Sequence, residues 1–262
     1  MIQASMGHHR GHQTAWANGN QGLIAISIPD PLEDVIPGVQ WGCATEVFTP
    51  AFWKYQSAVF RAQNNTVSHS IGKTIIEEVA VCLLGGYGMP AELGLAAFYR
   101  LRDRSLLNEA TTVDILQEAL YEPFPFDQGQ RRYRFPRQKA NYLWRTMQIL
   151  SSAVLPSSSR PLRDFLTGLP GIGPKTASWV VRNHLRSDEV AVLDVHVLRA
   201  GRAIGLFPPN VNLSKEYFRL EGRFLRFCTA LDEPASLVDA LMWDYMRRIG
   251  KASARTRMLS PT

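Results

Sequence analysis

From about residue 48 onward apolar positions recur at helical spacing. FTPAFWKYQSAVFRAQ predicts a helix with Thr49 as its N-cap and Pro50 at the first helical position. IGKTIIEEVAVCLLGG runs from Ile71 to a Gly-Gly stop, and PAELGLAAFYRLR opens on Pro90 and Glu92, which suit a first turn. Further amphipathic stretches follow: TTVDILQEALYE, PRQKANYLWRTMQILSSAVL, LRDFLTGL, PKTASWVVRNHLR, VHVLRAGRAIGLF, LSKEYFRLEGRFLRFCTAL and PASLVDALMWDYMRRIG. Before them, LIAISI at 23–28 has β character, and residues 1–20 read as a loose polar tail whose His8, His9 and His12 are those of a mobile terminus, with a metal site as the alternative. Strands and helices do not alternate, which excludes a parallel α/β sheet and predicts an all-α architecture with little or no β.

The densest local signal is LTGLPGIGPKTASWVVRN, Leu166 to Asn183. A short helix ends at Gly168, and Pro174 opens the next. Gly171 and Gly173, two apart, permit a tight turn with no Cβ in the way. The start of the second helix presents unpaired N–H groups, and together with glycine amides these can cradle a phosphate. The pattern is that of a helix–hairpin–helix element that binds DNA; a plain connection with glycine for geometry is the alternative.

Lys175 stands at the second position of the helix after that loop, and Asp194 follows nineteen residues later in AVLDVHVLRAGR, at a helix start. These two are either a surface lysine and a capping aspartate or an amine nucleophile with a supporting carboxylate.

Charge favours an acidic partner. The 262-residue chain carries 29 Lys and Arg against 23 Asp and Glu, a net of +6. At 45% apolar and 20% charged it is a globular composition, long enough for one large domain or two small ones. Cys43, Cys82 and Cys228 are too few for a disulfide scaffold or a four-cysteine cluster within this chain. No apolar run is long enough to span a membrane and no apolar signal core opens the sequence, so a reducing cytosol, with nucleoid or nucleus as the alternative, is the expected setting.

LPGIGPKTASWVVRN and VAVLDVHVLR together resemble the helix–hairpin–helix base-excision DNA glycosylases. The lysine is similar to that of members that also cleave at abasic sites, and LDVHVLR with the nineteen-residue spacing is most similar to the 8-oxoguanine DNA glycosylase/AP lyases. The strong match covers 168–202. The resemblance implies two helical subdomains with a DNA-binding cleft between them: 21–75 with 205–262, and 76–204 carrying the hairpin at 162–186. It implies no cofactor and no metal, a monomer, and a duplex containing a damaged base as partner. Lys175 would be the nucleophile and Asp194 its carboxylate, acting on a base flipped from the stack. Displacement of the base leaves a Schiff base between Lys175 and the opened sugar, and β-elimination then cuts the strand.

Other positions take roles beside these. His196 would project near the same phosphates or lie in the core. In AQNNTVSH, the family's wedge falls on Asn64, with a surface turn as the alternative. Trp179, four residues after Lys175, takes the family's base-stacking position or packs in the core. Asp239 and Trp243 are four apart in the last helical stretch. A carboxylate there can accept N1–H and N2–H of a guanine-type base while Trp243 covers the ring; the family's usual residue at the position of Asp239 is an amide. Two basic runs, RRYRFPRQK and MRRIGKASARTR, can track a phosphate backbone or be solvated faces. The hairpin also suits an endonuclease III-like enzyme for oxidised pyrimidines, against which the missing cysteine cluster counts. It suits a non-catalytic DNA-binding module as well, against which Lys175 with Asp194 counts.

Overall fold

Thr49 Oγ1 accepts the amide of Phe52 at 3.0 Å and Pro50 takes the first position of helix α1 (Pro50–Ala62), so this helix starts where the sequence places it. The computed structural model describes residues 11–65, 70–86, 88–127 and 129–259. Among them are ten helices and three small antiparallel strand pairs. The chain forms two compact units, Met1–Val67 with Ala191–Thr262, and Ser68–Val190. The division differs from the expected one at both junctions: residues 68–75 join the second unit, and residues 191–204 join the first.

In the first unit β1 (His12–Gly19) pairs with β2 (Gly22–Pro29), Ala15 facing Ile26 and Ala17 facing Ile24. The expected loose tail is therefore a strand from His12 onward; His8 and His9 lie outside the described residues. A second small pair, β3 (Asp34–Ile36) with β4 (Val39–Gln40), follows. The helices of this unit are α1, α8 (Val195–Ala203), α9 (Leu213–Ala230) and α10 (Ala235–Leu259). Here α8 packs on α10 through a face of Val197, Leu198 and Ala200, which is why it leaves the hairpin's unit. The core centres on Trp53, Ile28, Phe224 and Phe227, with Phe52 and Tyr245 edge-on to Trp53.

The second unit holds α2 (Ile75–Leu84), α3 (Ala91–Asp103), α4 (Val113–Tyr121), α5 (Pro136–Ser152), α6 (Ser159–Thr167) and α7 (Pro174–Leu185). The pair β5 (Phe124–Phe126) and β6 (Gly129–Arg131) sits between α4 and α5 in the chain. The start of α2 is set by Thr74 Oγ1, which accepts the Glu77 amide at 3.2 Å, while Glu77 reaches back to the Lys73 amide at 2.7 Å. Hairpin helix α7 packs on α6 and α2, and its Ala177, Val180 and Val181 join the core of Leu83, Leu84, Phe98, Leu143 and Leu166.

Candidate active site

The hairpin loop is pinned by its own apolar residues. Leu169 and Ile172 are buried, and the Ile172 amide donates to the Leu169 carbonyl at 3.2 Å. Gly171 between them has φ +76°, and the Tyr142 ring occupies the place a Cβ would need. Gly173 is different: its φ is −90°, and nothing lies within 4 Å of where its Cβ would stand. It is the N-cap of α7 and offers no side-chain cap; Pro174 has no N–H to give. The amides of Lys175 and Thr176 have no acceptor among the described residues. The loop thus leaves an open helix N-terminus at an exposed glycine, an arrangement that receives an anion.

Lys175 is half-buried, and its Nζ stands 5.6 Å from the centre of the Trp179 ring. No carboxylate pairs with it among the described residues. Half-buried Trp179 reaches back toward Gly85 at the end of α2, so one face of α7 carries both residues. Behind them, the fully buried Glu78 carboxylate ties α7 to α2. Its Oε1 accepts from Asn183 Nδ2 at 2.5 Å and Cys82 Sγ at 3.8 Å; its Oε2 accepts from the Gly72 amide at 2.9 Å and Ser70 Oγ at 3.3 Å. Burial, and then the Glu78 charge, pushes the Cys82 thiol well above its ordinary pKa, so this cysteine is an inert donor. Sequence reading missed the Glu78 cradle; a glutamate on the apolar face of IIEEVAVCLL was its only trace.

In the first unit Asp194 is the N-cap of α8. Its Oδ1 accepts the amides of His196 at 2.8 Å and Val197 at 3.0 Å, and its Oδ2 has no partner among the described residues. The cap is real, and it leaves one carboxylate oxygen unspent. His196 Nδ1 is buried without a partner among the described residues, and its ring meets Trp243 edge-on at 6.5 Å. Trp243 is 37% exposed, with the Arg247 guanidinium 4.6 Å from its ring centre. Asp194, His196 and Trp243 therefore belong to one unit, Lys175 and Trp179 to the other.

Asp239 is not where a base reader would be. It is 1% exposed, and its Oδ2 accepts the Val192 amide at 2.9 Å. The reason is local: residues 191–193 lie in neither a helix nor a strand, so their N–H groups need other acceptors. Glu221 and Tyr217 supply the other two, and sequence reading assigned neither a role. Asn64 is exposed at the end of α1 in the left-handed region (φ 53°), its amide on the Arg61 carbonyl at 2.9 Å. That conformation accounts for an asparagine by itself. Thr66–His69 of the same loop lie outside the described residues.

The basic run 131–139 is largely spent on the fold. Lys139 Nζ donates to the Leu83 carbonyl at 2.7 Å, Tyr133 Oη to the Leu84 carbonyl at 2.6 Å, Arg134 to the Gly88 carbonyl at 2.6 Å, and Arg131 pairs with Glu92 at 3.0 Å. Burial lowers the Lys139 pKa and raises that of Tyr133. Arg132 and Arg137 have no such partner among the described residues. Near the C-terminus Arg247 and Arg248 both pair with Asp244, while the side chains of Lys251, Arg255 and Arg257 lie outside the described residues.

The sequence profile of the 8-oxoguanine DNA glycosylase family matches residues 58–233. The chain belongs to that family. The match takes in the hairpin, Lys175 and Asp194, and ends before Asp239 and Trp243. An 8-oxoguanine DNA glycosylase/AP lyase of Metallosphaera sedula is 30% identical over 116 residues, 42% of this chain and 57% of that relative, so the match spans little more than half of its length. The 8-oxoguanine DNA glycosylase of Thermotoga maritima has a similar fold, with a TM-score of 0.50 at 24% identity over 64% of this chain and 77% of that one. An endonuclease III trapped covalently on DNA gives 0.55 at 18% identity over 73% of this chain and 81% of that one. These likenesses show the fold alone, which this family member shares with the Thermotoga maritima glycosylase and with endonuclease III. No helix among the described residues is long and apolar enough to cross a membrane.

Proposed function

We propose that the chain is a base-excision DNA glycosylase with abasic-site lyase activity, acting on 8-oxoguanine in duplex DNA. The observation that carries the reading is Lys175, an amine without a carboxylate partner among the described residues, one residue inside an open hairpin helix that can hold the DNA backbone. The flipped nucleotide offers C1′ to the neutral amine. Lys175 Nζ bonds to C1′, and the glycosidic bond breaks with its electron pair on the departing base. Asp194 Oδ2 stabilises the positive charge that develops on the sugar. Opening of the ring gives the Schiff base; loss of a C2′ proton then expels the 3′ phosphate. Gly171 shapes the loop and Gly173 keeps it open for phosphate. Trp179 and Trp243 supply aromatic faces to the base. His196 stands next to Trp243, and Asn64 fills the gap left in the duplex.

The test is a panel of duplexes carrying 8-oxoguanine, thymine glycol or a preformed abasic site, scored for base release, strand cleavage and borohydride trapping. Release of 8-oxoguanine with trapping is the expected result. Efficient release of thymine glycol alone moves the chain to the pyrimidine class; binding without release or trapping makes it a DNA-binding module.

A further inference from the structure

Three consecutive backbone N–H groups immediately before Asp194 are each taken by a buried side chain. The Ala191 amide goes to Glu221 Oε1 at 3.0 Å, the Val192 amide to Asp239 Oδ2 at 2.9 Å and the Leu193 amide to Tyr217 Oη at 3.2 Å. The Tyr217 hydroxyl in turn donates to the Ala191 carbonyl at 2.8 Å. Glu221, Asp239 and Tyr217 are 2%, 1% and 4% exposed. Tyr217 and Glu221 lie one turn apart on α9, and Asp239 comes from α10, so two helices hold the irregular segment 191–193.

Burying two carboxylates is costly, and a helix cap does not require it: the cap of α8 is complete with Asp194 Oδ1 alone. What the three acceptors add is a fixed backbone at residues 191–193, one bond from Asp194. With Oδ1 held by two amides and the preceding backbone held by three side chains, the position of Oδ2 is fixed. A carboxylate that stabilises transient charge gains from being held before the charge appears.

We propose that Glu221, Asp239 and Tyr217 are positioning residues that act through Asp194, holding its carboxylate for base excision; the inference rests on the reading of Asp194 given above. Asp239 thereby acts on the chain's own backbone and does not read the lesion.

The experiment uses the full chain and single-turnover release of 8-oxoguanine under saturating enzyme, with affinity for undamaged duplex and thermal unfolding measured alongside. Asp239→Ala should slow release by roughly tenfold to a hundredfold while duplex affinity stays within about twofold. Asp239→Asn keeps an oxygen for the Val192 amide and should recover most of the rate. Tyr217→Phe removes only the hydroxyl and should give a smaller loss in a chain that folds. In an Asp194→Asn background the Asp239→Ala loss should vanish, because both act through one carboxylate. An undiminished Asp239→Ala rate, no recovery in Asp239→Asn, or a loss that adds to that of Asp194→Asn overturns the proposal. A wild type that neither releases base nor traps overturns the functional reading and this role with it; an active wild type with an indifferent Asp239→Ala overturns this role alone.

Discussion

The Tyr142 ring lies over Gly171 so closely that no side chain fits beneath it, while Gly173, two residues on, faces open space. The two glycines of one loop therefore do different work. Gly171→Ala forces a left-handed residue against an aromatic ring and should cost about 2–4 kcal/mol of stability, read by denaturant unfolding. Gly173→Ala should change stability by less than about 1 kcal/mol and instead weaken binding to every duplex, damaged or not. Equal unfolding midpoints for the two variants would remove the distinction.

Lys175→Gln should abolish borohydride trapping and strand cleavage. No carboxylate pairs with Lys175 among the described residues and its Nζ stands 5.6 Å from the centre of the Trp179 ring, so folding should change by at most about 1 kcal/mol. Duplex affinity should fall only slightly, since the backbone cradle remains. Trapping at the wild-type level by this variant would exclude Lys175 as the nucleophile.

Asp194→Asn separates capping from chemistry. Asparagine caps as well as aspartate, so its Oδ1 can keep both amides of the first turn and stability should hold within about 1 kcal/mol. The free Oδ2 becomes an NH2 group that repels developing positive charge, and excision should slow by about two orders of magnitude or more. An Asn variant of normal rate would leave Asp194 as a cap only.

The helices were legible because each carries its own punctuation: Thr49-Pro50, Pro136 and Gly173-Pro174 mark starts that the structure keeps. Strand β1 was not, because its inward positions are Gln13, Ala15, Ala17 and Gly19, a row with almost no apolar signal. Gln13 is satisfied there by bonds to Pro29, Gly42 and Ala44, partners up to 31 residues away that no local pattern reveals. The hairpin helix was readable for the reason the others were, with Lys175 at its second position. The i,i+4 spacing of Asp239 and Trp243 was readable too, but spacing cannot tell a half-exposed tryptophan from a buried carboxylate one turn away that serves the backbone of Val192.

Glu78 joins the segment 70–72, α2 and α7 through a single carboxylate. Glu78→Ala would leave the buried Asn183 amide and the part-buried Gly72 N–H without their acceptor, a loss of about 3 kcal/mol or more in urea unfolding. Glu78→Gln with Asn183→Asp moves the carboxylate to the other side of the same bond and should regain part of it. A Glu78→Ala chain as stable as wild type would show that water replaces the carboxylate.

The basic run beside α5 divides in the same way. Arg134 holds the Gly88 carbonyl and Arg131 pairs with Glu92, whereas Arg132 and Arg137 have no such partner among the described residues. A cation that neutralises a phosphate releases a counterion, and its removal lowers the slope of log affinity against log salt by about one. Arg132→Gln and Arg137→Gln should therefore each flatten that slope and weaken binding to damaged and undamaged duplex alike, with unfolding unchanged. Arg134→Gln should leave the slope nearer its wild-type value and instead lower stability, because the Gly88 carbonyl loses its donor. Anisotropy titrations from about 50 to 200 mM salt resolve the two behaviours. A slope that drops in Arg134→Gln but not in Arg132→Gln or Arg137→Gln would mean that the arginine bonded within the fold leaves its carbonyl for DNA, and that the unpaired pair faces only water.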